Sequence, residues 1–350
     1  MNLVETYLTE LRDIGLYEAG VDETSYYGTL GNLFNEIGRT LKPKVRCIIN
    51  LRNDGAGFPD GGFFTPDQKS TDMIGGQIPS RGVVEVKGIR DEVEAVGDSE
   101  QVEKYLRRYG QVLVTNYRDF ILVGRDTAGN PEKLESFRLA ENETDFRAKL
   151  AHPQKLAGEC EAGLTEYLKR VMLQAAALTE PKDLAWLLAS YARTARGRVE
   201  KSDLPALDFV RTALEEALGL KFEGEKGEHF FRSTLVQTLF YGVFSAWVLW
   251  HKENTPVNST QRFGWRMAQW TLHVPMIRAL FEQVATPSKL EPLGLVQVLD
   301  WAESALNRVD RLAFFERFEE AHAVQYFYEP FLEAFDPELR KELGLSLIHI

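Results

Sequence analysis

Cysteine is scarce in this chain of 350 residues, which contains Cys47 and Cys160 and no others. Two cysteines cannot form the disulfide framework of a small secreted protein or the thiolate cluster of a structural zinc site. The first residues, MNLVETYLTELRD, are acidic and amphipathic, and this pattern is not that of a signal peptide. These features predict a protein of the reducing cytoplasm.

The sequence also has few long hydrophobic runs. Residues 234–250, TLVQTLFYGVFSAWVLW, carry no charged side chain. A membrane-spanning helix needs about 20 predominantly apolar residues. This run is shorter, and it contains Gln237, Thr238 and Ser245. We therefore predict a buried central helix of a helical bundle rather than a membrane span.

Several motifs of nucleotide and cofactor chemistry are missing. The sequence has no Gly-x-x-x-x-Gly-Lys-Ser/Thr loop, which excludes a P-loop ATPase. Gly55 and Gly57 do not open a helix after a strand, so they do not predict a cofactor-binding loop. There is no Asn/Asp-Pro-Pro-aromatic motif for methylating an exocyclic amine, and no nucleophile elbow for Ser/His/Asp chemistry.

Positive charge is concentrated locally, although the formal net charge is −11 at pH 7. Residues 39–52, RTLKPKVRCIINLR, contain no acidic side chain and hold Arg39, Lys42, Lys44, Arg46 and Arg52. Residues 104–108, KYLRR, add further cations. The overall charge argues against wholesale coating of nucleic acid. The local patches are either ordinary solvated surface or a lobe that follows phosphates.

Residues 1–150 show a mixed pattern of helix and strand. The apolar spacing of 23–41 predicts a helix, and 100–110 predicts another with Ser99 as its N-cap. Strands are predicted at 44–52, after the turn that begins at 57, at 82–88, and twice in the segment 111–126 around the turn 116–119. A strand–helix–strand unit among them predicts a mixed sheet with helices packed against it.

The pattern becomes helical from about residue 160. A chain of this length is expected to form two domains, which we place at 1–150 and 151–344. The fold class is therefore α+β, with an all-helical second domain. Helices are predicted at 160–178, 182–200, 203–219, 228–252, 260–285, 293–318 and 320–343. The tryptophans at 247, 250, 265, 270 and 301 are predicted to lie in the core of this bundle.

Two charged residues interrupt the apolar strand GVVEVKG at 82–88. Val84 and Val86 face one side of such a strand, so Glu85 and Lys87 face the other. Burying charge is costly unless the charge is paired or binds a metal. Asp60 lies in the glycine-rich turn GFPDGGFF, at the head of the neighbouring strand. Because adjacent strands lie about 4.8 Å apart, Asp60 can reach the same ion as Glu85.

Two carboxylates and a lysine at one strand end have a chemical use. Asp60, Glu85 and the carbonyl of Val86 supply the oxygen ligands that a hard divalent cation prefers. Lys87 can hold the attacking water of a phosphodiester hydrolysis assisted by that metal. Gln101 and Tyr105, at i and i+4 of the following helix, share one helical face and form a polar pair aimed at the same site.

This arrangement resembles a known nuclease family. The segment 23–125 resembles a PD-(D/E)xK nuclease domain through Pro59-Asp60, Glu85-Val86-Lys87 and a trailing Gln101-x-x-x-Tyr105 of the RecB-like kind. The stretches ETSYYGTLGNLFNEIG, GAGFPDGGFFTPDQ, PSRGVVEVKG and YGQVLVTNYRDFILVGRD resemble the N-terminal part of fused restriction–modification enzymes of the type IIG kind. HFFRSTLVQTLFYGVFSAW and VQYFYEPFLEAFDPELRKELG resemble the helical connector of that family.

The resemblance implies a restriction-endonuclease-like mixed sheet flanked by helices, followed by an all-α connector. Asp60 and Glu85 would be metal ligands, Lys87 the catalytic lysine, and Gln101 and Tyr105 accessory residues. Such nucleases often take a further acid from the first helix. Glu36 is the candidate for this metal ligand, since Gly31 stands where an acid was expected.

The resemblance also implies cofactors and partners. The activity would be a Mg²⁺-dependent endonuclease, with Mn²⁺ as a substitute, that acts on double-stranded DNA and pairs transiently to cut both strands. An N6-adenine methyltransferase domain, which uses S-adenosylmethionine, would follow the connector together with site recognition. Residues 345–350, LSLIHI, match the translation of a transposon end used in sequencing libraries. We expect them to be an adapter artefact and the natural protein to continue past Gly344.

Two other interpretations of the sequence remain open. One is a catalytically silent nuclease fold that binds DNA or a partner without cutting. The other is an all-helical scaffold in which the N-terminal domain is incidental. A dead site has no reason to keep charges on a partly buried face, so the trio Asp60, Glu85 and Lys87 favours the nuclease.

Overall fold

The chain forms two compact units, Met1–Ala176 and Ala177–Ile350. The computed structural model describes residues 2–16, 23–53, 55–68, 78–125, 130–174, 178–202, 207–219, 221–257, 261–268, 272, 281, 285–319 and 322–337. The predicted artefact at 345–350 lies outside the described residues.

The first unit contains a six-stranded mixed sheet in which the strands are adjacent in chain order. The strands are β1 (Arg46–Ile49), β2 (Gly61–Phe64), β3 (Val83–Val86), β4 (Val112–Thr115), β5 (Asp119–Arg125) and β6 (Pro131–Arg138). All neighbouring strands are antiparallel except β3 and β4, which are parallel. The parallel pair needs a long crossover, which the helices between the two strands provide. The predicted α+β class and mixed sheet are confirmed.

Helices cover both faces of this sheet. The helices of the unit are α1 (Leu3–Gly15), α2 (Tyr27–Gly38), α3 (Val93–Gly97), α4 (Glu100–Tyr109), α5 (Glu143–Leu150) and α6 (Pro153–Leu173). Val102, Leu106 and their neighbours on α4 pack with the sheet residues Val83, Val112 and Val114 in one cluster. The other face of the sheet packs in a second cluster with α1, α2, α5 and α6. Ser99 caps α4 as the sequence predicted, its hydroxyl accepting the N–H of Val102.

The sixth strand was not found from the sequence. Strand β6, PEKLESFR, is mostly polar, and its first residues are exposed. An edge strand that buries little apolar surface lacks the alternation by which strands are recognised. It is held by its pairing with β5, which only the assembled sheet supplies.

The first unit extends beyond the predicted boundary at residue 150. Helix α6 contributes Leu164, Leu168 and Val171 to the core that it shares with α1 and α2. Its Arg170 forms a buried ion pair with Glu135 on β6, with Nε 2.9 Å from Oε1. The boundary between the units therefore follows α6, at Ala176, rather than preceding it.

The second unit is helical in its described part. Its elements are α7 (Pro181–Glu200), α8 (Asp208–Leu218), α9 (Gly224–Glu253), α10 (Pro287–Leu290), α11 (Leu295–Asn307), α12 (Arg311–Arg317), a π-helical segment (Val324–Tyr328) and α13 (Glu329–Phe335). The uncharged run 234–250 lies within α9, where Leu235, Val243 and Trp247 are buried. This confirms the predicted central helix. Among the described residues, no helix has both the length and the apolar character needed to cross a membrane.

The single helix predicted at 293–318 is wrong. It divides into α11 and α12, with Asp310 between them as the N-cap of α12. The carboxylate of Asp310 accepts the N–H of Ala313 at 3.1 Å. The apolar pattern continues through the break because both helices face the same core, so periodicity alone did not reveal it. The helices predicted at 260–285 and 320–343 fall partly outside the described residues.

Breaking the buried ion pair of Arg170 and Glu135 tests the role of α6 in the first unit. Both side chains are almost fully buried, at 2% and 4% exposure. Glu135→Ala leaves a buried guanidinium without this carboxylate. We expect it to lower the free energy of unfolding of the first unit by about 3–5 kcal/mol. Urea denaturation followed by circular dichroism measures this loss.

A matched control removes an exposed pair from the same unit. Arg107 and Glu103 pair on the surface of α4, with side chains 69% and 41% exposed. Glu103→Ala should cost about 0.5 kcal/mol or less. Equal losses in the two variants would contradict a structural role for the buried pair.

Candidate active site

The pairing of β2 and β3 brings Asp60 beside Glu85. Gly61 pairs with Val84 and Gly62 with Val83 in this antiparallel ladder. Continuing the register by one residue places Asp60 opposite Glu85. The backbone N–H of Val86 donates to Oδ2 of Asp60 at 2.7 Å, which fixes the carboxylate at this strand end. The structure thus brings together two acids that the sequence separates by a long stretch of chain.

Lys87 and Glu85 form an ion pair at the same edge of the sheet. Nζ of Lys87 lies 2.6 Å from Oε1 of Glu85. The lysine side chain is 25% exposed, whereas the glutamate side chain is 2% exposed. Oε2 of Glu85 is buried and has no hydrogen-bond partner. A buried carboxylate oxygen without a hydrogen-bond partner can bind a cation or accept a hydrogen bond from a ligand.

Tyr27 holds the second oxygen of Asp60. This tyrosine begins α2, and its hydroxyl donates to Oδ1 of Asp60 at 2.6 Å. Both oxygens of Asp60 therefore accept a hydrogen bond from a buried or backbone group, and each keeps a further lone pair. No sequence pattern indicated Tyr27, because an aromatic residue at the start of a helix is usually part of the core.

Glu23 is a third acid near this edge, which the sequence analysis missed. The hydroxyl of Tyr27 lies 3.3 Å from Oε1 of Glu23, and the hydroxyl of Tyr117 donates to the backbone oxygen of Glu23. The charge of Glu23 also contributes to raising the pKa of both Glu85 and Lys87. Glu23 is the first residue of the helix predicted at 23–41, but Glu36 was chosen as the acid of that helix, and in the structure Glu23 precedes α2.

The structure does not bring Glu36 to this group. Glu36 pairs with Arg39 on the exposed side of the chain, and the side chains are 48% and 68% exposed. It follows Tyr27 by nine residues, or about two and a half turns of α2, so it lies on the opposite side of the helix and about 13 Å further along its axis. Gly31 is a packing position instead, because a Cβ there would lie 3.2 Å from Ile49.

Gln101 and Tyr105 lie together on α4, on the face of the sheet that carries Glu85. Nε2 of Gln101 donates to the hydroxyl of Tyr105 at 2.9 Å. Burial raises the pKa of Tyr105, the hydrogen bond from Gln101 opposes this, and the charges of Glu85 and Asp60 raise it further. The polar pair predicted at i and i+4 therefore exists, and its tyrosine lies within the electrostatic reach of both acids.

Burial dominates the electrostatics of Glu85. The pKa of Glu85 is raised to about 7. Burial is the largest cause, the hydrogen bond from Lys87 acts against it, and the charge of Asp60 adds to it. For Lys87 burial acts in the opposite direction, but the hydrogen bond and charge of Glu85 outweigh it, so its pKa is raised. Lys87 is thus held as a cation beside an acid that titrates near neutral pH.

The donor set at this edge fits a hard divalent cation. Asp60 and Glu85 offer carboxylate oxygens, and one buried oxygen of Glu85 has no hydrogen-bond partner. Mg²⁺ is commonly held by one or two carboxylates while it keeps several waters. Within the part of the chain that the structure describes, no group of three or more His, Cys, Asp or Glu side chains is arranged to hold a metal. Only a site with two protein carboxylates is therefore supported.

Comparisons with known proteins place few constraints on this chain. No family model and no curated protein matches it. Among solved structures, a cryo-EM structure of a DrdV–DNA complex matches with 18% sequence identity and a TM-score of 0.28. The match covers 98% of this chain and 29% of that chain. A likeness this low does not establish a shared fold or activity.

The buried carboxylate of Glu85 should make stability depend on pH. Its pKa rises from 4.5 to about 7 on folding, so the folded protein binds the proton more tightly than the unfolded chain. The stabilisation is complete below about pH 4.5 and is lost as the pH rises through 7. In metal-free buffer, the stability of Glu85→Gln relative to wild type should therefore increase by about 2–3 kcal/mol between pH 5 and pH 8.

Urea denaturation at a series of pH values measures this difference. Comparing the two proteins at each pH cancels the titration of every other group. Parallel pH profiles for wild type and Glu85→Gln would contradict the assignment of a destabilising buried charge to Glu85.

Proposed function

We propose that this chain is the nuclease module of a metal-dependent DNA endonuclease. The observation that carries the proposal is the convergence of Asp60, Glu85 and Lys87 at one edge of a mixed sheet, with one buried oxygen of Glu85 lacking a hydrogen-bond partner. Structural ion pairs normally satisfy both carboxylate oxygens when they are buried. An acid that is buried, partly satisfied and shifted in pKa is typical of a functional site.

Each residue has a role in this proposal. Asp60 and Glu85 hold the cation, and Tyr27 and the N–H of Val86 keep the carboxylate of Asp60 in place. A bound Mg²⁺ or Mn²⁺ supplies positive charge to the phosphoryl oxygens and the leaving group. Lys87, which is charged and partly exposed, orients the attacking water. Tyr105 and Gln101 border the site from α4.

The kind of enzyme is inferred from the resemblance of the sequence to fused restriction–modification enzymes. We propose that the module belongs to a restriction–modification enzyme whose site recognition and N6-adenine methylation, with S-adenosylmethionine, reside in a part that this chain does not include. Double-strand cleavage then needs two nuclease domains, paired transiently on DNA. The second unit serves as the helical connector.

One observation favours the silent alternative, in which the fold binds DNA or a partner without cutting it. The described residues offer two close carboxylates rather than three, so metal affinity depends on how well Asp60 is held. The two hypotheses differ in whether the site binds a metal at all, and this is measurable.

Removing Lys87 should abolish cleavage. We expect Lys87→Ala to reduce metal-dependent nicking of supercoiled plasmid at least about a hundredfold, because the water loses its orienting cation. The assay uses low salt with Mg²⁺ or Mn²⁺, since the proposal places site recognition outside this chain. Lys169→Ala is the matched control: Lys169 also pairs with an acid, Glu166, at 3.2 Å, on the opposite side of the sheet.

The outcomes of the nicking assay separate the hypotheses. Nicking that is lost with Lys87 and retained in the Lys169 variant supports the nuclease. Nicking that is equal in wild type and Lys87→Ala contradicts chemistry at this site. If neither protein nicks DNA, calorimetric titration of Mn²⁺ decides: binding that is lost in Asp60→Ala indicates a nuclease that needs its other domains, and no binding in wild type indicates the silent module.

Tyr27 should control the metal affinity of Asp60. Tyr27→Phe keeps the ring and removes the 2.6 Å hydrogen bond to Oδ1. We expect the dissociation constant for Mn²⁺ to rise about 10- to 100-fold, as is typical for the loss of a partner that orients a ligand. Tyr7→Phe is the control, since it removes another buried tyrosine hydrogen bond, to the backbone oxygen of Tyr117 at 2.8 Å. Equal affinities in wild type and Tyr27→Phe would contradict this role.

A further inference from the structure

A large apolar side chain is exposed beside the candidate site. Phe58 is 70% exposed and lies two residues before Asp60. Its turn is held by Asn53, whose Oδ1 accepts the N–H groups of Gly55 at 2.8 Å and Gly57 at 3.2 Å. Gly57 has a φ of +119° and passes so close to the ring of Tyr105 that a Cβ would lie 3.3 Å from it. The backbone is therefore anchored while Phe58 faces solvent.

The neighbouring strand adds a second exposed apolar residue and two cations. Ile48 on β1 is 45% exposed and pairs with Gly62. The pairing continues past the strands, because the N–H of Leu51 donates to the oxygen of Pro59 at 3.3 Å. The next residues of the two segments are Arg52 and Phe58. Arg46 and Arg52 are both exposed. We call Arg46, Ile48, Arg52 and Phe58 the turn surface.

The charge of the turn surface indicates an anionic partner. Among the residues that the structure describes, neither Arg46 nor Arg52 forms an ion pair with an acid. The segment 39–52 contains no acidic residue that could neutralise them. Duplex DNA combines phosphates, which attract such cations, with sugars that offer contact surface to an exposed aromatic side chain. An added peptide strand fits less well, since charged side chains on an edge strand oppose strand addition.

We propose that the turn surface seats double-stranded DNA against the Asp60 and Glu85 edge. Arg46 and Arg52 contact phosphates, Ile48 adds apolar surface, and Phe58 packs on a sugar next to the cleaved bond. This inference rests on the proposed nuclease function. Phe58 is a positioning residue in this scheme, because it places the scissile phosphate near Asp60 without reacting.

Binding to a short duplex separates the two kinds of contact. The probe is a fluorescein-labelled 20-base-pair duplex, titrated with the full chain in EDTA at several salt concentrations, so that no cleavage occurs. Phe58→Ala should weaken binding about 5- to 10-fold and leave the salt dependence unchanged, since an apolar contact with a sugar releases no counterions. Arg46→Gln with Arg52→Gln should reduce the slope of log K against log salt by about 2.

The control is Leu16→Ala. Leu16 is 74% exposed at the end of α1, which packs on the face of the sheet opposite α4. All three variants alter exposed side chains, and unchanged melting temperatures check that they remain folded.

Three results of the duplex titration would overturn the inference. They are an affinity for the duplex that is the same in Phe58→Ala and wild type, a salt slope that is unchanged by the arginine variants, and no binding of the duplex by wild type at low salt. Self-association that disappears in Phe58→Ala, without any change in DNA binding, would assign the surface to a protein contact and also overturn it. The nicking assay with Lys87→Ala tests the proposed function separately. If Lys87→Ala loses nicking while Phe58→Ala keeps full activity, the role of the turn surface is rejected and the proposed nuclease function is not.

Discussion

The burial of Glu85 in a strand of valines is the constraint on which the site depends. Its side chain is 2% exposed, and only one of its oxygens has a hydrogen-bond partner, Lys87. The cost of this burial appears as a pKa raised to about 7. An apolar residue at this position would make the core more stable, so the carboxylate of Glu85 lowers the stability of the fold locally.

The strands and helices around Glu85 hold the other groups of the site in defined positions. The β2–β3 register sets Asp60 opposite Glu85, and Tyr27 and the N–H of Val86 hold the Asp60 carboxylate from two directions. Helix α4 covers the same face of the sheet and brings Tyr105 to its border. Because these groups lie on strands and helices or, in the case of Asp60, directly before β2, their geometry is set before any ligand binds, which lowers the cost of binding.

The electrostatics of the site explain why a cation would stabilise it. Asp60 and Glu23 both act to keep the proton on Glu85, and Lys87 alone opposes them. A divalent cation between the carboxylates would reverse the balance, since an opposite charge favours the ionised form. In the proposed nuclease, the two neighbouring carboxylates are therefore unfavourable in the free protein but are the groups that bind the cation.

The sequence by itself determined the mixed α/β character of the first unit, the helical character of the described part of the second, and the presence of Glu85 and Lys87 as charges at an apolar strand, because these are local patterns, whereas the β2–β3 register brings Asp60 to Glu85. It also determined the Gln101 and Tyr105 pair, which depends on helical spacing alone. Only the tertiary structure decided that Tyr27 and Glu23 approach the site while Glu36 does not, that β6 completes the sheet, and that α6 belongs to the first unit. These depend on which faces of separate elements meet, and that is set by packing between residues far apart in the chain, which no local pattern records.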